Sequence, residues 1–329
     1  MPVVTAAYGT VTTSRPRVLV TRRLPASAVD LLDGRVELDV HAGESALTPE
    51  EMRVRVRDKD ALIVLLSDRV DRDILDSAPA LKIVANVAVG FDNIDVAHAA
   101  SRGVVVTNTP DVLTDAVADL TWALILAVTR RIGEGERIVR AGAWRGWSFE
   151  FMLGSSLAGK QLGIVGPGRI GRAVGARAAA FGMSVAYASR RTGDWQGAEP
   201  MSLDRLLATS DVLSLHVPLR SETRHLIDQR ALARMKRTAY LVNTTRGAVV
   251  DEAALVWALG ERLIAGAALD VFEREPEVHP GLLELENVVL TPHLGSATRE
   301  TRLAMAELAA RNVIAVLGGQ PPLTPVVPR

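Results

Sequence analysis

Cysteine is absent from the 329 residues, which excludes disulfides and thiolate chemistry and leaves the redox compartment undetermined. Net charge is absent as well. Thirty-eight Lys and Arg stand against 38 Asp and Glu, so there is no electrostatic footprint for a nucleic acid or an anionic membrane. No apolar run reaches the roughly 18 residues that span a bilayer. Residues 1–15 hold no acid and no compact apolar block of the signal-peptide kind. They are expected to form a disordered tail, and the protein to be soluble and cytoplasmic, with no metal.

What remains is a chain 48% hydrophobic and 23% charged, enough to bury the cores of two domains. Its organising stretch is Gln161 to Ser189. Gln161-Leu162-Gly163-Ile164-Val165 reads as a buried strand and leads into Gly166-Pro167-Gly168-Arg169-Ile170-Gly171, a G-x-G-x-x-G. An alanine-rich helix is expected from Arg172 to Phe181, capped by Gly182, then a strand over Ser184–Ala188. Strand, glycine turn, helix and strand within about 30 residues is the context a dinucleotide site requires. The pyrophosphate would sit on backbone N–H groups at a helix N-terminus, where the dipole favours negative charge. Gly166 would permit the turn, Gly168 the approach of the phosphates, and Gly171 the close packing of helix on strand.

One further absence concerns the cofactor. An NAD site usually carries Asp or Glu about 20 residues beyond the first glycine, to bond the ribose 2′-OH. Here Ser189-Arg190-Arg191 occupies that place, with no acid until Asp194. A hydroxyl and two guanidiniums suit a 2′-phosphate, so NADP(H) is the expected cofactor, with NAD(H) as the alternative.

Strands and helices alternate from Arg17. Strands are expected at Val18–Thr21, Val36–Val40, Ala61–Leu66, Leu81–Val87 and Val104–Thr107, with helices opening at Pro25 and at Thr48-Pro49 and another over Asp95–Ser101. Five βα repeats fit a flavodoxin-like parallel sheet. A long apolar helix, Thr114 to Arg131, is expected to cross from the first domain to the second, followed by a charged helix over Glu134–Arg140. Trp144 and Trp147 then stand in an irregular apolar segment that suggests a subunit contact or a lid. Further strands are expected at Val212–Val217, Ala239–Asn243, Ala265–Val271 and Val288–Thr291. A last helix, Glu300 to Leu317, is needed to cover the first sheet, and the proline-rich tail from Pro321 stops it. The fold class is therefore α/β, with two doubly wound parallel-sheet domains. A Rossmann dinucleotide domain over residues 111–295 is inserted in a flavodoxin-like substrate domain over 1–110 and 296–329.

Ligands of open α/β sheets bind beyond the carboxyl ends of the strands. Three such ends carry chemistry: Arg246 after Asn243, Asp270 to Glu275, and His293 between Pro292 and Leu294. Hydride transfer to a carbonyl needs a proton donor that titrates near neutrality, which is His. It needs a planar cation for an α-keto acid, which is Arg. A carboxylate behind the imidazole orients it and favours its charged form. Arg246, Glu275 and His293 can fill these roles, although each alone could be a structural hydrogen-bonder, a loop ion pair or plain surface.

Gly166-Pro-Gly-Arg-Ile-Gly, Asn243-Thr-Thr-Arg-Gly-Ala-Val-Val-Asp-Glu, Ala265-Gly-Ala-Ala-Leu-Asp-Val-Phe and Thr291-Pro-His-Leu-Gly-Ser-Ala-Thr, in this order, resemble the D-isomer-specific 2-hydroxyacid dehydrogenases. The resemblance covers nearly the whole chain from about Arg17. Leu65-Leu-Ser-Asp-Arg-Val-Asp, Val89-Gly-Phe-Asp-Asn-Ile-Asp and Thr107-Asn-Thr-Pro-Asp-Val-Leu-Thr-Asp are most similar to the glyoxylate/hydroxypyruvate reductases of that family.

The resemblance implies that His293 protonates the substrate oxygen, that Arg246 binds carboxylate and keto oxygen, and that Glu275 holds His293. Backbone N–H groups of Val89 and Gly90 would bind the carboxylate on domain closure, and the substrate set includes Leu66 and Ser296. The implied cofactor contacts run along Gly166, Gly168, Arg169 and Ile170, then Ser189, Arg190 and Arg191, then Val217, Pro218 and Thr223. They continue with Thr244, Thr245 and Arg246, and end with Asp270 at the nicotinamide carboxamide, His293 and Gly295; Thr114 also approaches. An aromatic at Trp144 or Trp147 reaching a partner's pocket implies a homodimer.

Two departures stand out. Pro167 replaces the usual Leu or Met and removes a backbone donor, and no regulatory C-terminal extension is expected. The expected activity is NADP(H)-dependent reduction of glyoxylate or hydroxypyruvate to the D-2-hydroxy acid. The alternatives are a dehydrogenase of bulkier 2-oxo acids and, in a different class, a nucleotide-sensing corepressor-like protein, since fold does not fix function.

Overall fold

The structure is a computed structural model that describes residues 15–43, 45–190 and 195–327. The expected tail through residue 14, Arg191 and Asp194 lie outside the described residues. The chain divides into two compact units, one running to Pro110 and resuming at Leu303, the other Asp111–Arg302.

The first unit carries β1 (Arg17–Val20), β2 (Glu37–Val40), β3 (Ala61–Val64), β4 (Ile83–Asn86) and β5 (Val105–Thr107). They form one parallel sheet in the order β2-β1-β3-β4-β5, the flavodoxin-like order. All four residues of β3 and of β4 are buried, as expected of strands covered on both faces. On one face Leu19, Leu62, Val64, Val84 and Val106 pack with Met52, Val56, Ile74 and Leu75. Helix Pro49–Arg55 is held there by a full capping box between Thr48 and Glu51. The end of the chain returns to this unit. Ser27 Oγ donates to Glu307 at 2.9 Å, and Val326 N–H donates to Val106 at 2.8 Å. The proline-rich tail thus pairs along the exposed edge of β5, where expectation had it only stopping the last helix.

The second unit carries β6 (Gln161–Val165), β7 (Ser184–Ala188), β8 (Glu199–Pro200), β9 (Val212–Leu215), β10 (Tyr240–Asn243), β11 (Gly266–Leu269) and β12 (Val288–Leu290). All pair in parallel, in the order β12-β11-β10-β9-β6-β7-β8. The chain builds outward from β6 on one side, then returns to β9 and builds outward on the other. The order therefore reverses between β6 and β9, which is where such a sheet opens a ligand crevice. The sheet has a buried core on each face.

Several expected elements shift. Helix Thr114–Thr129 lies wholly in the second unit, where Ala118, Trp122, Ile125 and Val128 join the core. Trp122 stacks on Phe181 at 4.2 Å and donates to the Val174 carbonyl. The helix after the glycine turn begins at Arg169, before its expected start, because Arg172 N–H already bonds the Gly168 carbonyl. It tightens into a 3₁₀ turn at Ala178–Phe181, and Gly182 caps it at φ 66°. β8 was not expected; two residues are too short to show a period, and its Pro200 is tolerated on an edge. Helix Arg299–Leu317 continues across the division of the units at Arg302 and Leu303. No helix among the described residues is long and apolar enough to cross a membrane.

Candidate functional site

At the reversal of strand order the glycine turn takes the shape its three positions require. Gly166 adopts φ 94°, and a Cβ there would lie 2.7 Å from the His216 carbonyl oxygen at the end of β9. A Cβ on Gly171 would lie 2.4 Å from the Gly166 carbonyl oxygen. Gly168 is different. It caps helix Arg169–Arg177, and a Cβ there would meet nothing within 4 Å. Two glycines serve the packing of the protein on itself, and the third keeps open the space over a helix N-terminus. A dinucleotide pyrophosphate fits that opening. Pro167 brings no N–H, yet its carbonyl accepts from Arg172 Nε at 3.0 Å.

The neighbouring positions are mostly tied to the protein itself. Arg169 pairs with Asp111 at 2.6 Å, and Arg190 pairs with Glu222 at 3.0 Å. Thr223 is buried, and its hydroxyl donates to the Pro218 carbonyl at 2.7 Å. The Thr245 hydroxyl donates to the Val217 carbonyl, and that of Thr244 lies 3.0 Å from the Thr121 hydroxyl. These threonines therefore shape the crevice wall. Thr114 opens its helix, with its N–H on the Asp111 carbonyl.

The triad comes from three adjacent strands. Asn243, Leu269 and Leu290 stand in register on β10, β11 and β12, and the chain beyond each supplies one group. His293 Nδ1 lies 2.8 Å from Glu275 Oε2, with side chains 25% and 30% exposed, and Nε2 has no partner among the described residues. Burial works to raise the Glu275 carboxyl. The hydrogen bond and charge of His293, the Phe272 N–H and the charge of Arg246 outweigh it and hold the carboxyl below its ordinary value. His293 itself sits at φ 53°, a left-handed conformation that a non-glycine residue adopts only when its surroundings impose it.

Asp270 imposes it. Its carbonyl accepts from His293 N–H at 2.9 Å, and its buried carboxylate accepts from Leu294 N–H at 2.7 Å and Gly295 N–H at 2.8 Å. The Thr291 hydroxyl adds a further donor at 2.7 Å. Both oxygens of Asp270 thus hold the loop that carries His293. Ser296 closes that loop by accepting from Thr298 N–H and Arg302 Nε.

Gly247 is a positioning residue that sequence reasoning passed over. A Cβ there would lie 1.8 Å from the Phe272 backbone, so only glycine lets the Arg246 loop rest on the Glu275 loop. Its place directly after the arginine was the available signal. The Asn243 side chain bonds both Thr245 N–H and the Arg246 carbonyl. His216, also near the crevice, is no rival acid. Burial pushes its pKa down to about 3, so it stays neutral, with Nε2 on the Ser214 hydroxyl.

In the first unit, Leu66 follows β3, and Val89 and Gly90 follow the adjacent β4. A cavity of about 500 Å³ opens there, lined by Leu66, Asp68, Asn93 and their neighbours.

The chain resembles known proteins over most of its length. The sequence profile described as D-isomer specific 2-hydroxyacid dehydrogenase, NAD binding domain, matches residues 122–295. The chain is 50% identical over 318 residues to a glyoxylate reductase of Thermococcus onnurineus, covering 94% of this chain and 95% of the relative. It is similar to the TT0316 protein of Thermus thermophilus, with a TM-score of 0.90, 48% identity and coverage of 94% and 100%. It is also similar to an NADPH-dependent glyoxylate/hydroxypyruvate reductase of Sinorhizobium meliloti in complex with NADP and malonate. That structure has a TM-score of 0.86, 38% identity and coverage of 95% and 97%. With its two parallel sheets, its glycine turn and its Arg, Glu and His on three neighbouring strand ends, the chain belongs to the D-isomer-specific 2-hydroxyacid dehydrogenase family.

Proposed function

We propose that this protein reduces a small 2-oxo acid, chiefly glyoxylate or hydroxypyruvate, to the D-2-hydroxy acid, with NADPH as the preferred donor and NADH as the alternative. The carrying observation is the 2.8 Å contact of His293 Nδ1 with Glu275. It fixes the ring by one nitrogen and leaves Nε2 to act on substrate. The reduced nicotinamide, when bound, supplies the hydride to the carbonyl carbon. His293 gives its Nε2 proton to the carbonyl oxygen, becomes neutral, and recovers a proton from solvent. Glu275 keeps the ring oriented through Nδ1. Arg246 binds carboxylate and keto oxygen with its fork and polarises the carbonyl. Val89 and Gly90 offer N–H groups to the carboxylate, with Leu66 and Ser296 bordering the substrate. Gly166, Gly168, Arg169 and Ile170 would hold the pyrophosphate, and Ser189, Arg190 and Arg191 the 2′-phosphate. Val217, Pro218 and Thr223 would border the adenosine.

The substrate assignment draws on the glyoxylate reductases at about half identity. The cofactor preference draws on the missing carboxylate after β7 and on the NADP held by the Sinorhizobium relative. Initial rates of NADPH and NADH oxidation with glyoxylate, hydroxypyruvate, pyruvate and a bulky 2-oxo acid test both. Fast NADPH loss with the two small acids supports the reading. NADH-only activity removes the cofactor part, and preference for the bulky acid removes the substrate part.

A homodimer completes the reading. Helix Ile132–Arg140 buries none of its residues. Ile132, Val139, Trp144, Trp147, Phe149 and Leu153 are each more than half exposed. So contiguous an apolar stretch fits burial against a second copy.

A further inference from the structure

Three successive carbonyls beyond β4 are each held from behind. Ala88 O accepts from Thr109 N–H at 2.9 Å, Val89 O from Asn108 Nδ2 at 2.8 Å, and Gly90 O from Asn86 Nδ2 at 2.8 Å. In a trans peptide each N–H points opposite to the carbonyl of the residue before it. Each of the three bonds therefore directs the N–H of Val89, Gly90 or Phe91 away from the group that holds the carbonyl of the same peptide. None of the three donates to another group among the described residues, and all three residues are only partly buried, so their N–H groups are open to a ligand.

The two amides are themselves fixed. Asn86 is 1% exposed and faces Asn93, whose Nδ2 donates to the carbonyls of Leu65 and Asp68 at 3.2 and 3.0 Å. The loop with Leu66 and the loop with Gly90 thus share one scaffold. Asn108 is gripped at its backbone by Thr324, whose hydroxyl donates to the Asn108 carbonyl at 2.6 Å. Fully buried Asn312 holds Thr324 in turn at 2.9 Å. An amide is required at both places. It can donate to a carbonyl, where an isosteric carboxylate only accepts.

We propose that Asn108 and Asn86 are positioning residues that aim the consecutive N–H groups of Val89, Gly90 and Phe91 at the carboxylate of the substrate. The inference rests on the 2-oxo acid reading above and adds to it a third donor and the origin of the donors' direction. The carboxylate is held at this end by neutral backbone dipoles, whose aim two side-chain amides set.

The full-length Asn108→Ala and Asn108→Asp variants test it, with Asn86→Ser as a further variant should those fail to fold. The glyoxylate KM and the inhibition constant of oxalate are expected to rise together by about tenfold, the loss of well-aimed donors to a charged group. kcat is expected to fall less, and the NADPH dissociation constant, read by fluorescence, to stay within about twofold. Unchanged KM and oxalate inhibition overturn the inference. A parallel loss of NADPH affinity overturns it too, since that marks general damage. If the unaltered protein reduces no 2-oxo acid, the activity reading fails separately. Calorimetric binding of oxalate then decides the positioning role, weaker binding to the variants supporting it and equal binding overturning it.

Discussion

Asp270 and His293 are joined through the backbone: the Asp270 carbonyl receives the His293 N–H at 2.9 Å while the Asp270 carboxylate takes the next two N–H groups. One buried residue at the end of β11 thereby fixes the left-handed turn that presents the imidazole after β12. Glu275, five residues beyond Asp270, then fixes the ring itself. Backbone and side chain of His293 are set by the same neighbouring strand end.

Glu275→Gln should lower kcat about tenfold or more, since the ring loses the carboxylate that orients it. The same carboxylate gives a pH signature. Its folded pKa lies below the ordinary 4.5, so its interactions stabilise the fold above that value and are lost as pH falls through the lower folded one. Thermal unfolding of the two proteins should differ at neutral pH and converge as the pH falls through the lowered folded value. A gap that persists undiminished in acid would contradict this account.

Gly168→Ala and Gly247→Ala should behave in opposite ways. The first adds a methyl to open space, so stability should change by less than about 0.5 kcal/mol while dinucleotide affinity falls. The second drives a methyl into the Phe272 backbone and should cost about 3 kcal/mol or more, seen in urea unfolding. Equal stabilities would show that the Arg246 loop does not rest on glycine.

Arg190→Ala should weaken NADPH binding several-fold and leave NADH nearly unaffected, because only the 2′-phosphate would draw the guanidinium from Glu222. Fluorescence titration with each nucleotide reads this directly. Equal losses for both would assign Arg190 to the adenosine as a whole.

Trp147→Glu should yield a monomer in light scattering if a second copy covers the apolar segment. Trp147 is 82% exposed, so the fold should tolerate the change. A variant as dimeric as its parent would place the contact elsewhere.

Much of this was legible in the sequence because it was written locally. The glycine turn, the apolar parallel strands and the triad at strand ends each follow from short-range pattern. What escaped depends on contacts between distant segments. Gly247 matters only because Phe272 lies against it, and the hold of Asp270 on the His293 loop comes from donors 21 to 25 residues away. Asn86 and Asn108 look like ordinary polar residues until the carbonyls they hold are seen. β8, two residues on a sheet edge, is specified by β7 beside it and by nothing in its own composition.

The most direct measurement of the central claim is NADPH oxidation with glyoxylate by the unaltered protein beside His293→Ala, with nucleotide binding measured on both. The account predicts rapid oxidation that falls at least about a hundredfold in the variant, with nucleotide affinity unchanged. Undiminished turnover by His293→Ala, or no turnover by the unaltered protein despite nucleotide binding, would contradict it.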